Sequence, residues 1–592
     1  MGGLVALAML VGFESMRVAG DLGHVRDHHE GSYVGAAAFR RCHGSRYASW
    51  RRTHHRAMTA EATQENVLGA FDGRTLTYLG VTARMSRDTD GKYWMRFTAP
   101  DRAPRQVEVV RTVGSHRYQQ YLARDDDVYF RLPIAWQIDE ARFMHMNEAF
   151  LTPDPPAPPP GHAVDFVDYD CYVMCWNDNC IFCHNVDPDP GLRSDGHFES
   201  TVAQLGIGCE ACHGPGAEHE ALNTDPVRRY ALHLSGRPDP TIVSPRRLSR
   251  SRANDVCGRC HGQRKAQHVG PFLREGDPFV PGDDLAETTE PLFVDTPLGG
   301  DEHAFESRFW RDGTPRLTAY ELQGLLLSAC TMRGEMSCLD CHSMHEADPA
   351  MQVRETARGD AACEACHEHL EPNHSRHAPT SASCYDCHMP RIVYGLLGAH
   401  ISHRVETPMP ARDARLGRPD ACTLCHVQEG EGWAAAEVAR LWGAEPAEDD
   451  GEVSAAPTPA GAALQSRVER ELLGGDPIVR AVAAAALGRW QGQEKPRGDA
   501  LARRVALLLE VLDADAYPAV RTGAWRSLKA LLDDGAPARL AHFDPTAAPA
   551  WRRQFVASLR RDLAGLALPS LDAQAVQQLR ATANQQAIEI GE

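Results

Sequence analysis

No run of 18 or more apolar residues follows the N-terminus of this 592-residue chain, which excludes a helical membrane span beyond that end. A cationic excess is missing as well: 80 acidic residues outnumber 62 basic ones and leave a formal charge of −18. Nucleic acid is therefore not an expected partner, whereas a protein with a cationic docking face is. Uncommitted cysteine is scarce too, since only Cys42, Cys171, Cys175 and Cys330 of the 18 lie outside one repeated motif. Hydrophobic content of 43% and charged content of 24% are those of a globular protein. The length exceeds one ordinary core and predicts two or three domains.

The repeated motif is Cys-x-x-Cys-His. It occurs seven times, as Cys180-Ile-Phe-Cys183-His184, Cys209-Glu-Ala-Cys212-His213, Cys257-Gly-Arg-Cys260-His261, Cys338-Leu-Asp-Cys341-His342, Cys363-Glu-Ala-Cys366-His367, Cys384-Tyr-Asp-Cys387-His388 and Cys422-Thr-Leu-Cys425-His426. Chance placement of these residue types predicts about 0.03 such motifs. The spacing carries its own chemistry. Two thiols three residues apart add to the two vinyl groups of one haem, and the next histidine lies under the iron. Paired Cys-x-x-Cys units also bind zinc, but zinc does not require a histidine after every second cysteine. Seven covalent haems are expected. Their bulk would replace much of the apolar core in a body rich in loops, with 39 Pro and 49 Gly.

Phe39-Arg-Arg-Cys42-His43 has the same spacing with Phe in place of the first Cys. One thioether from Cys42 can hold an eighth haem with His43 beneath the iron. The alternative is a decayed site with a free thiol. His54 and His55 follow Trp50 and are candidate sixth ligands; adjacent residues point differently on a helix, so at most one reaches a given iron.

Other candidates for the sixth position are His219, His345, His374, His377, His400 and His403, all close to motifs in sequence. The chain between such a residue and its nearest motif is too short to pass round the ring, so it is expected to serve the next haem. Met344, Met389 and Met409 are weaker candidates, and bis-histidine ligation gives lower potentials than Met/His. His116 is a possible ligand, though a surface histidine is the commoner explanation. Cys171 and Cys175 have no following histidine; a disulfide or free thiols are both open. Cys330 is expected to be a buried apolar residue.

The remaining texture divides the chain. Residues 1–30 read as a degenerate leader: Gly2–Phe13 has the length of a signal h-region, without a basic n-region or a good cleavage site. An N-terminal helix packed on the body is the alternative. Residues 31–65 hold the single-Cys segment. Residues 66–150 are rich in aromatic and β-branched runs and predict a β insert. Residues 151–432, opened by the Pro-rich stretch 153–160, hold the seven motifs. Residues 433–592 are helical in pattern; Pro477-Ile-Val-Arg480 recurs as Pro518-Ala-Val-Arg521, an offset within the range of HEAT repeats, with a plain helical bundle as the alternative. The expected fold is thus mainly α: a loop-rich multihaem body with a small inserted β-module, then an α-helical HEAT-like repeat domain for protein contact.

The stretches YVGAAAFRRCH, NVLGAFDGRTLTYLGVTAR, CEACHGPGAEH, CGRCHGQR, FWRDGTPRLTAYE, CLDCHSMHEAD and CYDCHMPRIVYGLLGAHISHRVETPMP resemble multihaem cytochromes of the c-552/c-554 type that carry a C-terminal helical-repeat domain. The likeness spans roughly residues 30–430. It is more distant to octahaem enzymes of the nitrogen cycle. In the family the first site has both cysteines, and Phe39 departs from it. The resemblance implies haem c and export to the periplasm or cell exterior. Three functions stay open: electron transfer between redox donor and acceptor proteins, oxidoreduction of a small nitrogen or sulfur compound at one open iron, or an interaction scaffold whose helical tail docks the haem body onto a membrane-associated or outer-surface complex. No lysine replaces a motif histidine, a substitution some nitrite-reducing haem enzymes use, which weighs toward electron transfer.

Overall fold

Alternating apolar residues build the β part. The computed structural model describes residue 16 and residues 28–588, apart from 157, 160, 171–173, 335, 346–351, 372, 379–380, 431, 444–465 and 491–493. The expected leader, Cys171 and the acidic segment 445–461 therefore lie outside the described residues, save residues 16 and 28–30 of the leader. Ten strands run from residue 59 to residue 145: β1 (Thr59–Glu61), β2 (Asp72–Tyr78), β3 (Val81–Arg87), β4 (Tyr93–Ala99), β5 (Arg102–Val109), β6 (Arg111–Val113), β7 (Tyr118–Asp125), β8 (Val128–Arg131), β9 (Ile134–Gln137) and β10 (Arg142–His145). β2–β5 form a four-stranded antiparallel meander, and β1-β6-β7-β9-β10 form a second sheet with β8 beside β7. The β3–β4 hairpin turns at Gly91, whose φ of +86° suits glycine, while the Asp88 carboxylate accepts from Asp90 N, Lys92 N and the Trp94 indole.

Side chains two apart share a sheet face, so Val81, Ala83 and Met85 with Tyr93, Met95 and Phe97 point one way. They pack on Tyr121, Ala123, Ile134, Trp136 and Phe143 of the second sheet. His145 ends this region fully buried. Its Nδ1 accepts from Asn147 N at 3.2 Å and its Nε2 lies 3.0 Å from Tyr169 O, which fixes the neutral ring. Burial holds its pKa down at about 4, below the unfolded 6.5. The neutral form is the folded form, so its stabilisation is complete above pH 6.5 and is lost as pH falls toward 4. The loss expected is about 3 kcal/mol. Chemical denaturation across that range checks it, and His145→Gln should flatten this part of the slope.

Six helices close the chain: α1 (Arg467–Gly474), α2 (Pro477–Leu487), α3 (Gly498–Ala514), α4 (Pro518–Leu532), α5 (Pro549–Asp562) and α6 (Ala573–Thr582). α2, α4 and α5 each begin with Pro at the first turn, where its missing N–H costs nothing. Each also places an arginine three residues on: Arg480 donates to Gly475 O, Arg521 to Asp515 O and Arg552 to Ala547 O. The third copy, Pro549-Ala-Trp-Arg552, breaks the 41-residue offset and was not visible in the two-copy pattern. The helices do not stand apart as a tail. Ile478, Val482, Leu508, Val520 and Trp525 share one apolar core with Tyr118 and Met144 of the second sheet and with Leu317, Tyr320 and Tyr394 of the motif region.

Between these two parts, residues 166–442 carry short helices and hairpins joined by loops. Mixed, loop-rich architecture results, with more strand than a small insert implies.

Candidate functional site

Each motif is a tight helical turn. The histidine N–H donates to the carbonyl of the first motif cysteine at 2.8–3.1 Å for His213, His261, His342, His367 and His426. Two motifs carry their own capping box: Ser337 with Asp340, and Ser383 with Asp386, exchange hydrogen bonds across the first turn. The variable residues inside Cys-Leu-Asp-Cys and Cys-Tyr-Asp-Cys thus start the helix that presents both thiols. The single-Cys segment adopts the same turn, with His43 N donating to Phe39 O at 2.8 Å. Phe39 is buried against Gly216, where an added Cβ would lie 2.3 Å from its ring. Glu210, itself buried, pins this segment by accepting from Val34 N, Gly35 N and Gly216 N.

Motif histidines face other histidines. Ring centroids lie 6.0 Å apart for His43/His219 and His261/His55, and 6.1 Å for His213/His345 and His426/His377. The separations are 6.2 Å for His388/His374 and 6.5 Å for His342/His403. Two imidazoles bonding one metal from opposite sides, each through a bond of about 2.0–2.1 Å, have centroids roughly 6.3 Å apart. Several of these rings are held by Nδ1, which leaves Nε2 toward the gap. His213 Nδ1 lies 2.7 Å from Val243 O and His388 Nδ1 lies 2.8 Å from Glu406 O. His219 Nδ1 lies 3.0 Å from Asp239, and His55 Nδ1 lies 2.9 Å from Gln352 Nε2. Burial works against the Asp239 charge, yet hydrogen bonds from His219, Thr241 and Asn223 hold its pKa well below the ordinary value. Such outer partners orient ligand rings.

Four candidates lie opposite a motif histidine other than that of their neighbouring motif: His219 faces His43 rather than His213, His345 faces His213 rather than His342, His377 faces His426 rather than His388, and His403 faces His342 rather than His388. His374, by contrast, faces the motif directly after it. His54 and His400 stand apart from the motif histidines. His54 stacks on His116 at 4.5 Å, too close for a metal between them, and His400 Nε2 lies 2.9 Å from Gly395 O. Adjacent His54 and His55 diverge because neighbouring side chains project in different directions. Cys330 is half-buried rather than buried and lines the central cavity with Met344 and Met389, whereas Met409 precedes the helix at Pro410. Cys175 is half-buried, and burial beside Asp178 pushes its thiol up to about 11. Among the described residues, His184 and His367 face no second histidine ring. Arg131, buried in the second sheet, lies within electrostatic reach of Cys180 and His184.

The motifs also touch one another. Cys183 meets Cys260, Cys257 meets Cys338, and Cys363 meets Cys384 through their sulfurs. Cys212 lies close to Cys257 and Cys260, Cys341 to Cys363, and Cys387 to Cys425. Six of the seven motifs line one connected cavity of about 2660 Å³. A single small-molecule pocket is about 300–1,000 Å³, so the volume accommodates several large cofactors. The donor set, the ring separations and the cavity together fit haem.

No family model matches the chain, and no curated protein matches it by sequence. Among solved structures the chain is similar to the outer cell wall cytochrome OcwA, with 15% identity and a TM-score of 0.46 over 90% of this chain and 99% of that one. A likeness at that level fixes neither fold nor function.

Proposed function

We propose that the chain is an exported multihaem c-type cytochrome that passes electrons one at a time through covalently held haems. Six facing histidine pairs at 6.0–6.5 Å carry this reading. Bound haem would supply a one-electron iron couple, kept at low potential by two histidines. The chain's own residues hold the rings and keep the motifs in contact. The order of contacts is 42–209–257–338–363–384–422 by first motif cysteine, with the 180 motif branching at 257. Eight haems belong to this reading, the one at Cys42 held by a single thioether. Cys42→Ala should lower the haem count per chain from eight to seven, read by pyridine haemochrome assay and mass spectrometry. A count of seven in both proteins means the site is empty, and a count of eight in both means that the thioether is not what holds the haem.

The c-552/c-554 kinship, the HEAT-like nature of the helices and their contact with a membrane-associated redox complex belong to the same proposal. No helix of the described residues is long and apolar enough to cross a membrane, which fits a protein that meets such a complex from outside the bilayer.

A second reading rests on His184 and His367, which face no second histidine among the described residues. An open iron at either would accept a small nitrogen or sulfur compound, and Arg131 beside His184 would favour an anionic one. An EPR spectrum of the oxidised holoprotein with haem content on the same sample separates the two. Low-spin signals alone remove the enzyme reading. A high-spin signal that shifts with nitrite or hydroxylamine moves the assignment to catalysis.

A further inference from the structure

The chain is acidic, but its charge is not evenly spread. Segment 40–56 carries Arg40, Arg41, Arg46, Arg51, Arg52 and Arg56 and no acidic residue. Segment 226–252 carries seven arginines and one carboxylate, Asp239. Together they hold thirteen arginines against one acid in a chain of net charge −18; in the fold Arg51, Arg228, Arg250 and Arg252 pair with Glu65, Asp239, Asp340 and Asp255.

The fold brings both segments to one place, the His43/His219 pair at the end of the motif series. Arg46 lies within electrostatic reach of His43 and His213. Asp239 holds His219, and Val243 O holds His213, so segment 226–252 wraps two successive pairs. Arg46 and Arg246 line the cavity and suit the propionates of bound haems. Arg40, Arg41, Arg229, Arg237 and Arg247 are exposed and line no part of it. Arg229 donates to the carbonyls of Asn223 and Thr224, and Arg247 to that of Gly236. These bonds fix the guanidiniums without cancelling their charge.

An apolar stripe accompanies the charge. The helix Pro226–Ser235 leaves Val227, Tyr230 and Leu234 on one face, with Tyr230 70% and Leu234 82% exposed. Large exposed apolar side chains beside fixed arginines form an interface with a contact centre and a charged rim. Propionates account for cavity-lining arginines but not for outward ones.

We propose that this arginine-rich face docks an acidic protein electron carrier and makes the Cys42 site the terminus where electrons enter or leave. The proposal rests on the electron-transfer reading above. It reverses, for this one face, the expectation that an acidic chain meets a cationic partner. Opposite charge steers encounter and raises on-rates about 10–10³-fold at low salt, falling as ionic strength rises. The transfer forms and breaks no bond: a reduced carrier loses one electron and the chain gains one.

Reduced flavodoxin serves as the acidic probe and dithionite as a non-docking reductant. With the wild-type holoprotein, the flavodoxin rate constant should fall at least about tenfold between about 0.01 and 0.3 M salt. Arg229→Glu/Arg237→Glu/Arg247→Glu should lower the low-salt rate at least about tenfold, and the Lys triple should restore it. Oxidised flavodoxin should bind the wild type and not the Glu triple, as read by sedimentation velocity. Equal flavodoxin kinetics and binding in wild type and Glu triple overturn the docking face. Failure of dithionite to reduce either protein overturns the electron-transfer reading instead. Pelleting with phosphatidylserine vesicles but not phosphatidylcholine vesicles, without flavodoxin binding, assigns the face to a membrane and overturns it. So does a salt-sensitive dimer abolished in the triple with flavodoxin kinetics unchanged.

Discussion

With Cys257 and Cys260 both replaced by Ala, reduction of the holoprotein is expected to become strongly biphasic. The 257–261 motif is the junction of the series: Cys260 meets Cys183, Cys257 meets Cys338, and Cys212 lies close to both. Removing the cofactor held there isolates the 180 site. It also separates the sites at 42 and 209 from those at 338, 363, 384 and 422. Electrons fed at one end should reach only that end quickly. Cys422→Ala/Cys425→Ala at the far terminus removes one cofactor without dividing the rest and should leave one fast phase with smaller amplitude. Stopped-flow absorbance at the haem bands reads both. Single-phase kinetics in the 257/260 variant, with haem content lowered by one, would refute the contact order.

Arg521→Ala should cost about 3–5 kcal/mol of unfolding free energy, the range for leaving a buried charge partner uncompensated. Arg521 has no exposed surface and donates to Pro545 O at 2.7 Å, to Asp515 O at 2.5 Å and to Asp154 at 2.7 Å. Asp154 lies in the Pro-rich stretch between the β part and the motif region and also accepts from Tyr78 at 3.0 Å. One guanidinium thus joins the helices, the stretch and the first sheet. Arg552 also reaches Asp154, at 3.3 Å, which places the expected loss at the lower end of the range. Guanidinium denaturation followed by far-ultraviolet circular dichroism measures it. Arg229→Ala, on the exposed rim, should change stability by less than about 0.5 kcal/mol. Equal effects at the two positions would mean that the helices are not coupled to the body.

Much of the local structure was legible. Alternation at Val81–Met85 and Tyr93–Phe97 predicts strands because the residue period of a sheet is two. Pro477 and Pro518 mark helix starts because proline fits the first turn. The turn of each motif follows from its five residues, even at Phe39, where one cysteine is missing. The helices were expected as a separate domain, but their apolar faces close on Tyr118, Met144 and Tyr394, and hydropathy alone does not say which surface covers a given stripe.

The sequence by itself determined which atoms can hold cofactors, since thiol and imidazole spacing within five residues is a covalent constraint. It also determined the helix starts and strand faces, where propensity and period act over a few residues. Only the tertiary structure decided which histidine lies opposite which. His55 meets His261 and His403 meets His342 across chain separations that no local rule encodes, while His54 and His400 turn elsewhere. Tertiary packing alone likewise brought Arg46 and the distant stretch of Asp239 and Val243 to the same histidine rings. Long-range contact depends on the shape of the whole fold, and a single sequence carries that only through the sum of many weak packing terms.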